Sequence, residues 1–282
     1  MRSNGLDIPF ADEYIQVGDI DEKTDWLQAL KDADMVIHLA ARVHIMNDKA
    51  ANPLQAFRQT NVQGTEHLAR MAAKSGVKRF IFVSSVKVNG EGADKPYTEK
   101  DLPQPEDDYG VSKQEAEEVL SVVAAETALK IVILRPSLVY GPGVKANFKN
   151  LIKIVGLGVP LPLKGIRNQR SFLYVGNLVD AITICITHPL AVGETFLLSD
   201  GEDFSTPDLM KLIASAMNKR VILFSLPAAI LKTLLTIVGQ GDAMGKLEGS
   251  LCVDSSKIRD LLGWKPPFTI KEGISRTLNI NL

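Results

Sequence analysis

The sequence predicts an α/β fold in which a doubly wound parallel sheet carries a smaller α+β lobe toward the C-terminus. Two observations indicate the sheet: short apolar runs rich in β-branched residues, and helical stripes that alternate with them. Near-continuous apolar strands are typical of parallel sheets that are covered on both faces. A third observation, the change of pattern after Gly141-Pro142-Gly143, indicates the lobe. We therefore expect a core domain over residues 1–145 and a lobe over residues 146–282 that packs on it.

Five elements of the predicted core follow from apolar spacing. In chain order they are a buried strand at 34–39, a helix at 53–75, a strand at 80–85, a helix that carries Tyr109, and a strand at 131–134. A polar loop rich in Gly, Pro and acidic residues, 89–108, precedes the second helix. Strands that alternate with helices in this way predict the doubly wound arrangement.

The lobe is predicted from shorter elements of both kinds. We expect helices near 147–155, 175–187, 207–217 and 255–262, and strands near 195–198 and 221–224. The chain has no internal repeat, low-complexity tract or linker that would separate this lobe from the core.

Composition excludes several classes of partner. The 282 residues include 32 basic and 33 acidic side chains, so no overall field attracts nucleic acid or an anionic membrane. Cys185 and Cys252 form neither a disulfide framework nor a metal-binding spacing, which favours a reducing, cytoplasmic setting. The most apolar stretch, 228–238, contains Lys232 and is too short for membrane insertion. We expect no bound metal.

Tyr109 and Lys113 are the residues most suggestive of chemistry. They lie four apart on a predicted helix and therefore share one face. A free tyrosine has a pKa near 10, so about 4 kcal/mol of extra phenolate stabilisation is needed to make it a base at neutral pH. Lys113 supplies one positive charge, and an oxidised nicotinamide would supply another. With Ser85 delivered from a strand end, the three side chains predict proton transfer at a hydroxyl.

Each of these patterns also has a purely structural interpretation. A tyrosine and a lysine four apart occur on many exposed helices, although the preceding Ser84-Ser85 makes coincidence less plausible. We interpret His38 as a structural residue of its strand rather than a catalyst. Arg135 is interpreted as a buried or half-buried ion-pair partner.

Several blocks along the chain resemble the extended short-chain dehydrogenase/reductase family, in its NAD-dependent epimerase/dehydratase branch. The blocks are Val17–Ile20, Val36–Ala41, Asn61–Thr65, Phe82–Ser85, Tyr109–Lys113, Leu134–Gly143, Arg170–Phe172 and Asp254–Pro266. They cover nearly the whole chain in the family's order. The resemblance implies a Rossmann-like fold, an NAD or NADP cofactor and a UDP-sugar substrate.

The same resemblance implies a role for individual residues. The implied catalytic residues are Ser85, Tyr109 and Lys113. The implied cofactor-binding residues are Asp19, Ile20, Leu39, Ala40, Ala41, Asn61, Val83, Ser84, Tyr109, Lys113 and Pro136. The implied substrate-binding residues are Ser85, Lys87, Asn147, Phe148, Leu163 and Arg170. For Asn61, a hydrogen bond to the backbone between strands is an equally good interpretation. For Lys87, a solvated position in a loop is an equally good interpretation.

Departures from the family pattern narrow the activity. Family dehydratases carry an acidic pair directly after the strand-end hydroxyl residue, but Val86 and Lys87 stand there in this chain. Sugar 4,6-dehydration is therefore disfavoured. The chain looks most like the UDP-N-acetylquinovosamine dehydrogenase and UDP-glucose 4-epimerase-like members, which serve bacterial surface polysaccharide synthesis. Epimerisation at C4 and reduction of a 4-keto sugar both remain open. The resemblance also implies a homodimer through helices 53–75 and 109–125.

The glycine-rich phosphate loop that opens this family has no counterpart in the sequence. Val17–Ile20 already match the family's third strand, so about 35 residues, the length of one strand–helix–strand unit, would be absent. Either Met1 is a misplaced start or the chain is a catalytically impaired, UDP-sugar-binding remnant. The side chain that selects NAD over NADP would lie in the absent part, so that choice remains open.

Overall fold

The fold is described from a computed structural model, which places residues 11–43, 52–92, 95–144, 146–227, 230 and 248–279, with residues 146, 147 and 279 described by their backbone only. These residues form two compact units. The first comprises Met1–Gly90, Leu102–Arg135 and Cys185–Phe196, and the second comprises Glu91–Asp101, Pro136–Ile184 and Leu197–Leu282. The division predicted at residue 145 stays a prediction.

The first unit is built on a parallel sheet. The strands of this sheet are β1 (Met35–His38), β2 (Arg79–Val83), β3 (Lys130–Pro136) and β6 (Thr195–Leu198), in that spatial order, and β3 up to Arg135 and β6 up to Phe196 belong to the first unit. β1 pairs with β2 and β2 with β3, both in parallel. The helices are α1 (Pro53–Arg58), α2 (Gly64–Lys74) and α3 (Asp108–Glu126), and a short π-helical stretch, Gln59–Gln63, joins α1 to α2.

The core of this unit lies between the sheet and its helices. Phe80 and Phe82 project from one face of β2 into a cluster that includes Leu68 of α2 and Leu120 of α3. Ile81 points to the opposite face and is also fully buried. Both faces of the central strand are therefore covered, which confirms the predicted doubly wound class.

The second unit contains a three-stranded sheet of β4 (Leu138–Tyr140), β5 (Arg170–Tyr174) and β7 (Asp203–Phe204). Its helices are α4 (Ala146–Leu157), α5 (Val175–Thr187), α6 (Thr206–Ala216), α7 (Ser256–Leu262) and α8 (Ile270–Asn279). Stacked aromatic rings fill its core: the rings of Tyr140 and Phe148 lie 5.0 Å apart, and Phe172 meets both edge-on.

Most predicted elements are confirmed, and three expectations need correction. The strand predicted near 221–224 is wrong, because the segment forms only a single bridge, Leu161 to Leu223. Val17–Ile20 form no strand, although Val17 and Ile20 pack against the core. β1 is only partly buried: Met35 is 40% and Ile37 41% exposed, because β1 is the edge strand of the described sheet and alternate side chains leave the core face.

Four elements were absent from the sequence prediction. β4, β5, β7 and α8 are short or follow one another closely, so apolar periodicity does not distinguish them. The stretch 228–238 lies outside the described residues. Among the residues that are described, no helix combines the length and apolarity needed to cross a membrane.

Candidate active site

Lys113 occupies an enclosed position one turn after Tyr109 on α3. It is 1% exposed, its Nζ donates a hydrogen bond to the Val83 carbonyl at 2.7 Å, and the Nζ lies 3.9 Å from the centroid of the Phe82 ring. A cation above an aromatic face is attracted by the ring quadrupole. Burial lowers the pKa of Lys113 to about 7, and the Glu117 carboxylate opposes that shift. Lys113 therefore titrates close to neutral pH.

Tyr109 is half-buried at the start of α3, and the centroids of its ring and the Phe57 ring lie 6.3 Å apart in an edge-on arrangement. Burial raises the pKa of Tyr109, and the Asp107 carboxylate raises it further, while Lys87 and a hydrogen bond with Ser85 act in the opposite direction. The depressed pKa expected from the sequence is thus not produced by this protein's own groups, because burial outweighs the cations. A further positive charge is needed for Tyr109 to act as a base near neutral pH.

Ser85 leaves the sheet two residues after β2 ends and begins the next turn. Its side chain caps the 3₁₀ turn Val86–Val88 by accepting the Lys87 backbone N–H at 3.2 Å. The cap holds the half-buried Ser85 hydroxyl on the side of Tyr109. Ser85, Tyr109 and Lys113, which the sequence grouped as catalytic, lie in the same unit.

A buried ion pair lies beneath this group. Arg135 and Glu117 are joined at 2.5 Å, and each side chain is only 8% exposed. The Ser84 hydroxyl donates to Glu117 at 2.5 Å, and Arg135 donates to the Asn89 side chain at 3.0 Å. Since a buried charge is tolerated when it is paired and hydrogen-bonded, the pair fixes the strand end that presents Ser85. The prediction of Arg135 as an ion-pair partner is confirmed.

Several predicted cofactor residues follow the carboxyl ends of β1 and β2. Leu39, Ala40 and Ala41 come after β1, and Leu39 is 63% exposed. Val83 ends β2 and Pro136 is the last residue of β3. Dinucleotides bind outside the carboxyl ends of strands in open parallel sheets. The hydrogen-bond donors of Lys113 fit such a ligand. In the described chain one of its three N–H groups bonds the Val83 carbonyl, and ribose hydroxyls can accept hydrogen bonds from an ammonium.

The other predicted cofactor residues lie at backbone junctions. Asn61 is buried in the π-helical stretch, accepts a hydrogen bond from the Arg42 N–H at 2.7 Å and donates to Ser112 Oγ at 2.9 Å. This arrangement matches the backbone-bonding alternative, and the cofactor contact stays a prediction. Asp19 is exposed and its carbonyl accepts the Thr24 hydroxyl, while Ile20 packs closely against Gly64.

The predicted substrate residues other than Ser85 and Lys87 belong to the second unit. Phe148 is buried in the aromatic core, and the Leu163 carbonyl accepts the Ile166 N–H at 3.1 Å within a turn. Arg170 Nε donates to the Gly249 carbonyl at 2.8 Å, and burial lowers its pKa. Asn147 lies on α4, and its side chain is outside the described part of the structure. Their substrate contacts remain predictions.

Two acidic residues near the site were missed by sequence reasoning. Glu117 follows Lys113 by four residues, a spacing that signals a shared helix face. Asp107 is the N-cap of α3, and its side chain accepts the Gly110 N–H at 2.7 Å. An aspartate just before a helix is a recognisable capping signal. His38 has the structural role predicted for it: its ring stacks on Phe82, and its Nε2 lies 2.9 Å from Thr65 Oγ1.

Comparison with known proteins identifies the class of enzyme to which this fold and site belong. The profile of the NAD dependent epimerase/dehydratase family matches residues 4–198. The chain is 46% identical over 265 residues to a UDP-glucose 4-epimerase of Vibrio cholerae, covering 93% of this chain and 81% of that protein. The chain therefore belongs to the NAD dependent epimerase/dehydratase family, as its motifs predicted.

More distant similarities are found to one curated sequence and to one solved structure. An N-acetyl-alpha-D-glucosaminyl-diphospho-ditrans,octacis-undecaprenol 4-epimerase of Escherichia coli O157:H7 is 30% identical over 283 residues, covering 95% of this chain and 84% of that protein. The structure of UDP-glucuronic acid 4-epimerase from Bacillus cereus in complex with NAD superposes with a TM-score of 0.73 at 24% identity. That superposition covers 92% of this chain and 77% of the other, and it supports the Rossmann-like fold.

Proposed function

We propose that this protein is an NAD(P)-dependent oxidoreductase that acts at C4 of a UDP-sugar, with 4-epimerisation as its reaction. The grouping of Ser85, Tyr109 and Lys113 in one unit carries the proposal. Membership of the family and the 46% identity to a UDP-glucose 4-epimerase support it. Val86 and Lys87 stand where a dehydratase needs acids, which argues against elimination of water.

The side chains divide the proton transfer among them. Ser85 holds the C4 oxygen of the sugar by a hydrogen bond, and the Tyr109 hydroxyl exchanges the proton of that oxygen. Lys113 would hold the nicotinamide ribose and would contribute positive charge when it is protonated. Leu39, Ala40, Ala41 and Pro136 would border the cofactor, and the guanidinium of Arg170 would suit a substrate diphosphate. NAD(P), when bound, would supply the hydride acceptor and donor for C4.

Turnover of UDP-sugars by the purified chain tests this proposal. UDP-glucose and UDP-N-acetylglucosamine are incubated with catalytic NAD, and the C4 epimers are quantified by proton NMR. Tyr109→Phe is expected to lower turnover by about 10²–10⁴-fold, the usual contribution of a positioned acid–base group. Tyr14→Phe, at a position 49% exposed, is the control and is expected to keep full turnover. Full turnover by Tyr109→Phe would refute the mechanism.

The same assay separates the two activities that the sequence left open. Epimerisation returns the hydride to the sugar, so it causes no net oxidation or reduction of the cofactor, whereas a 4-keto sugar reductase oxidises one NAD(P)H to NAD(P)+ for each sugar reduced. A 4-keto-6-deoxy UDP-sugar with NADPH or NADH is therefore the second substrate to test. If calorimetry shows UDP-sugar binding and neither reaction occurs, the alternative of a non-catalytic binding protein is supported.

We also propose that the chain forms a homodimer through α1–α2 and α3. Val122 on α3 is 48% exposed, which leaves an apolar side chain available to a second copy.

For the location of the protein we propose a reducing compartment, the cytoplasm. Cys185 and Cys252 are both free thiols, which supports a reducing setting.

A further inference from the structure

An ion pair connects the two segments that present Ser85 and Tyr109. Lys87 lies in the 3₁₀ turn that Ser85 caps, and its ammonium is 2.5 Å from Asp107 Oδ2. Asp107 is the N-cap of α3, two residues before Tyr109, and its other oxygen accepts the Gly110 N–H. One carboxylate therefore holds both the start of α3 and the turn that follows β2. Nothing in the family resemblance assigns Asp107 a role.

The two segments are also in backbone contact at this point. A Cβ on Gly110 would lie 2.8 Å from the Lys87 carbonyl oxygen and 3.2 Å from Asp107 Oδ1. Real Cβ atoms do not approach other atoms so closely, so glycine at position 110 permits the contact. The Lys87–Asp107 ion pair thus joins α3 to the turn after β2 at a point where the backbone contact at Gly110 already sets their spacing.

The pair places one charge of each sign near the Tyr109 hydroxyl. The Asp107 carboxylate raises the pKa of Tyr109 and the Lys87 ammonium lowers it, while burial and the Ser85 hydrogen bond also act on the phenol. Two other cations around α3, Lys113 and Arg58, are engaged with other groups. Lys113 donates to Val83 and faces Glu117. Arg58 is bonded to Glu115 and interacts with Asp108.

We propose that Lys87 and Asp107 are positioning residues that act as a pair: their ion pair joins the turn that Ser85 caps to the start of α3, and it thereby fixes Ser85 against Tyr109 and the charges around the Tyr109 hydroxyl. The proposal rests on the C4 oxidoreductase function proposed above. The Lys87 ammonium lies against the Asp107 carboxylate, two residues before Tyr109, whereas the Lys113 ammonium donates to the Val83 carbonyl and lies over the Phe82 ring. The substrate contact predicted for Lys87 is not needed to explain its position.

The test measures the ionisation of Tyr109 without any use of turnover. The protein is produced with 3,5-difluorotyrosine, whose more acidic phenol brings the titration toward neutral pH, and the fluorine signals are followed by NMR. The signal of residue 109 is assigned by its absence in Tyr109→Phe. Lys87→Met is expected to raise the pKa of residue 109 by about 0.5–1, and Asp107→Asn to lower it by a similar amount. Asparagine is also a good N-cap, so α3 keeps its capping residue.

Opposite signs are the result that a merely structural role cannot give. Lys87→Arg keeps the charge and is the matched control, with an expected shift below about a quarter of a unit. Shifts of the same sign in Lys87→Met and Asp107→Asn, or no shift in either, would overturn the proposal. If Lys87→Met does not fold, a lowered pKa in Asp107→Asn beside an unshifted Lys87→Arg still supports it, and an unshifted Asp107→Asn refutes it. A protein without turnover can pass or fail this test, so the result is separate from that of the proposed function.

Discussion

At the scale of single residues, the site contains a lysine whose charge is opposed by its surroundings. Lys113 is enclosed by Phe82, Val83 and Glu117, and its ammonium has lost nearly all contact with water. Removing a cation from water disfavours the charged form, so the pKa falls to about 7. A lysine with a pKa this low in the folded protein binds fewer protons than it does in the unfolded chain. The site is therefore expected to reduce stability in a pH-dependent way.

Replacing Lys113 by methionine should stabilise the protein most at low pH. In the wild type, burial of the charged lysine lowers the free energy of unfolding by its full amount below about pH 7, where the lysine is protonated in both states. This destabilisation disappears as the pH rises toward about 10.4, the pKa of lysine in the unfolded chain. We expect Lys113→Met to raise the free energy of unfolding by on the order of 2–4 kcal/mol more at pH 6.5 than at pH 10. Urea unfolding across that range measures the difference, and Lys149→Met, at an exposed position of α4, is the control. A gain that does not depend on pH would contradict the shifted pKa.

At the scale of secondary-structure elements, the site depends on how closely α3 approaches the turn after β2. The N-cap Asp107, Gly110 and the Lys87 carbonyl meet there without space for another carbon atom. By contrast, among the residues that the structure describes, only Met217 Cε comes within 4 Å of a Cβ placed on Gly156 of α4, at 3.5 Å. At Gly110 the contact therefore requires the absence of a side chain, whereas at Gly156 a methyl group can be accommodated.

These two glycines give a matched test of that approach. Gly110→Ala is expected to lower the free energy of unfolding by about 1–3 kcal/mol, because the new methyl group displaces backbone. Gly156→Ala is expected to leave it unchanged or raise it by up to about 1 kcal/mol, since alanine favours helix over glycine. Chemical denaturation of the two variants measures both effects. If Gly110→Ala is as stable as Gly156→Ala, the close approach is not a constraint.

At the scale of the whole molecule, the proposed homodimer requires that the face of α3 directed away from the core contact a second copy. On this helix Ala116, Leu120 and Val123 point into the core, whereas Val122 is 48% exposed. A charged side chain in a dimer interface would be removed from water without a partner, and that is strongly unfavourable. The surface of α4 offers a comparison, because Leu157 is 72% exposed in the other unit.

Val122→Glu is accordingly expected to convert the dimer to a monomer, and Leu157→Glu to leave the dimer intact. Size-exclusion chromatography with light scattering measures both masses at equal concentration. Circular dichroism of the separated species establishes that each variant is folded. A wild-type protein of monomer mass, or a dimer that persists in Val122→Glu, would show that α3 is not the contact surface.

The sequence alone determined the fold class and selected the candidate catalytic group of this protein. Apolar strand and helix spacings are local properties, so they located β2, β3, α3 and most other elements, and the Tyr109–Lys113 spacing placed both side chains on one helix face. What surrounds those side chains was decided by tertiary contacts. Phe82 and Val83 come near Lys113, and Lys87 comes near Tyr109, only when α3 packs on β2 and its following turn. Burial at that junction fixes both pKa shifts, and burial is a property of the packed chain that no local pattern contains.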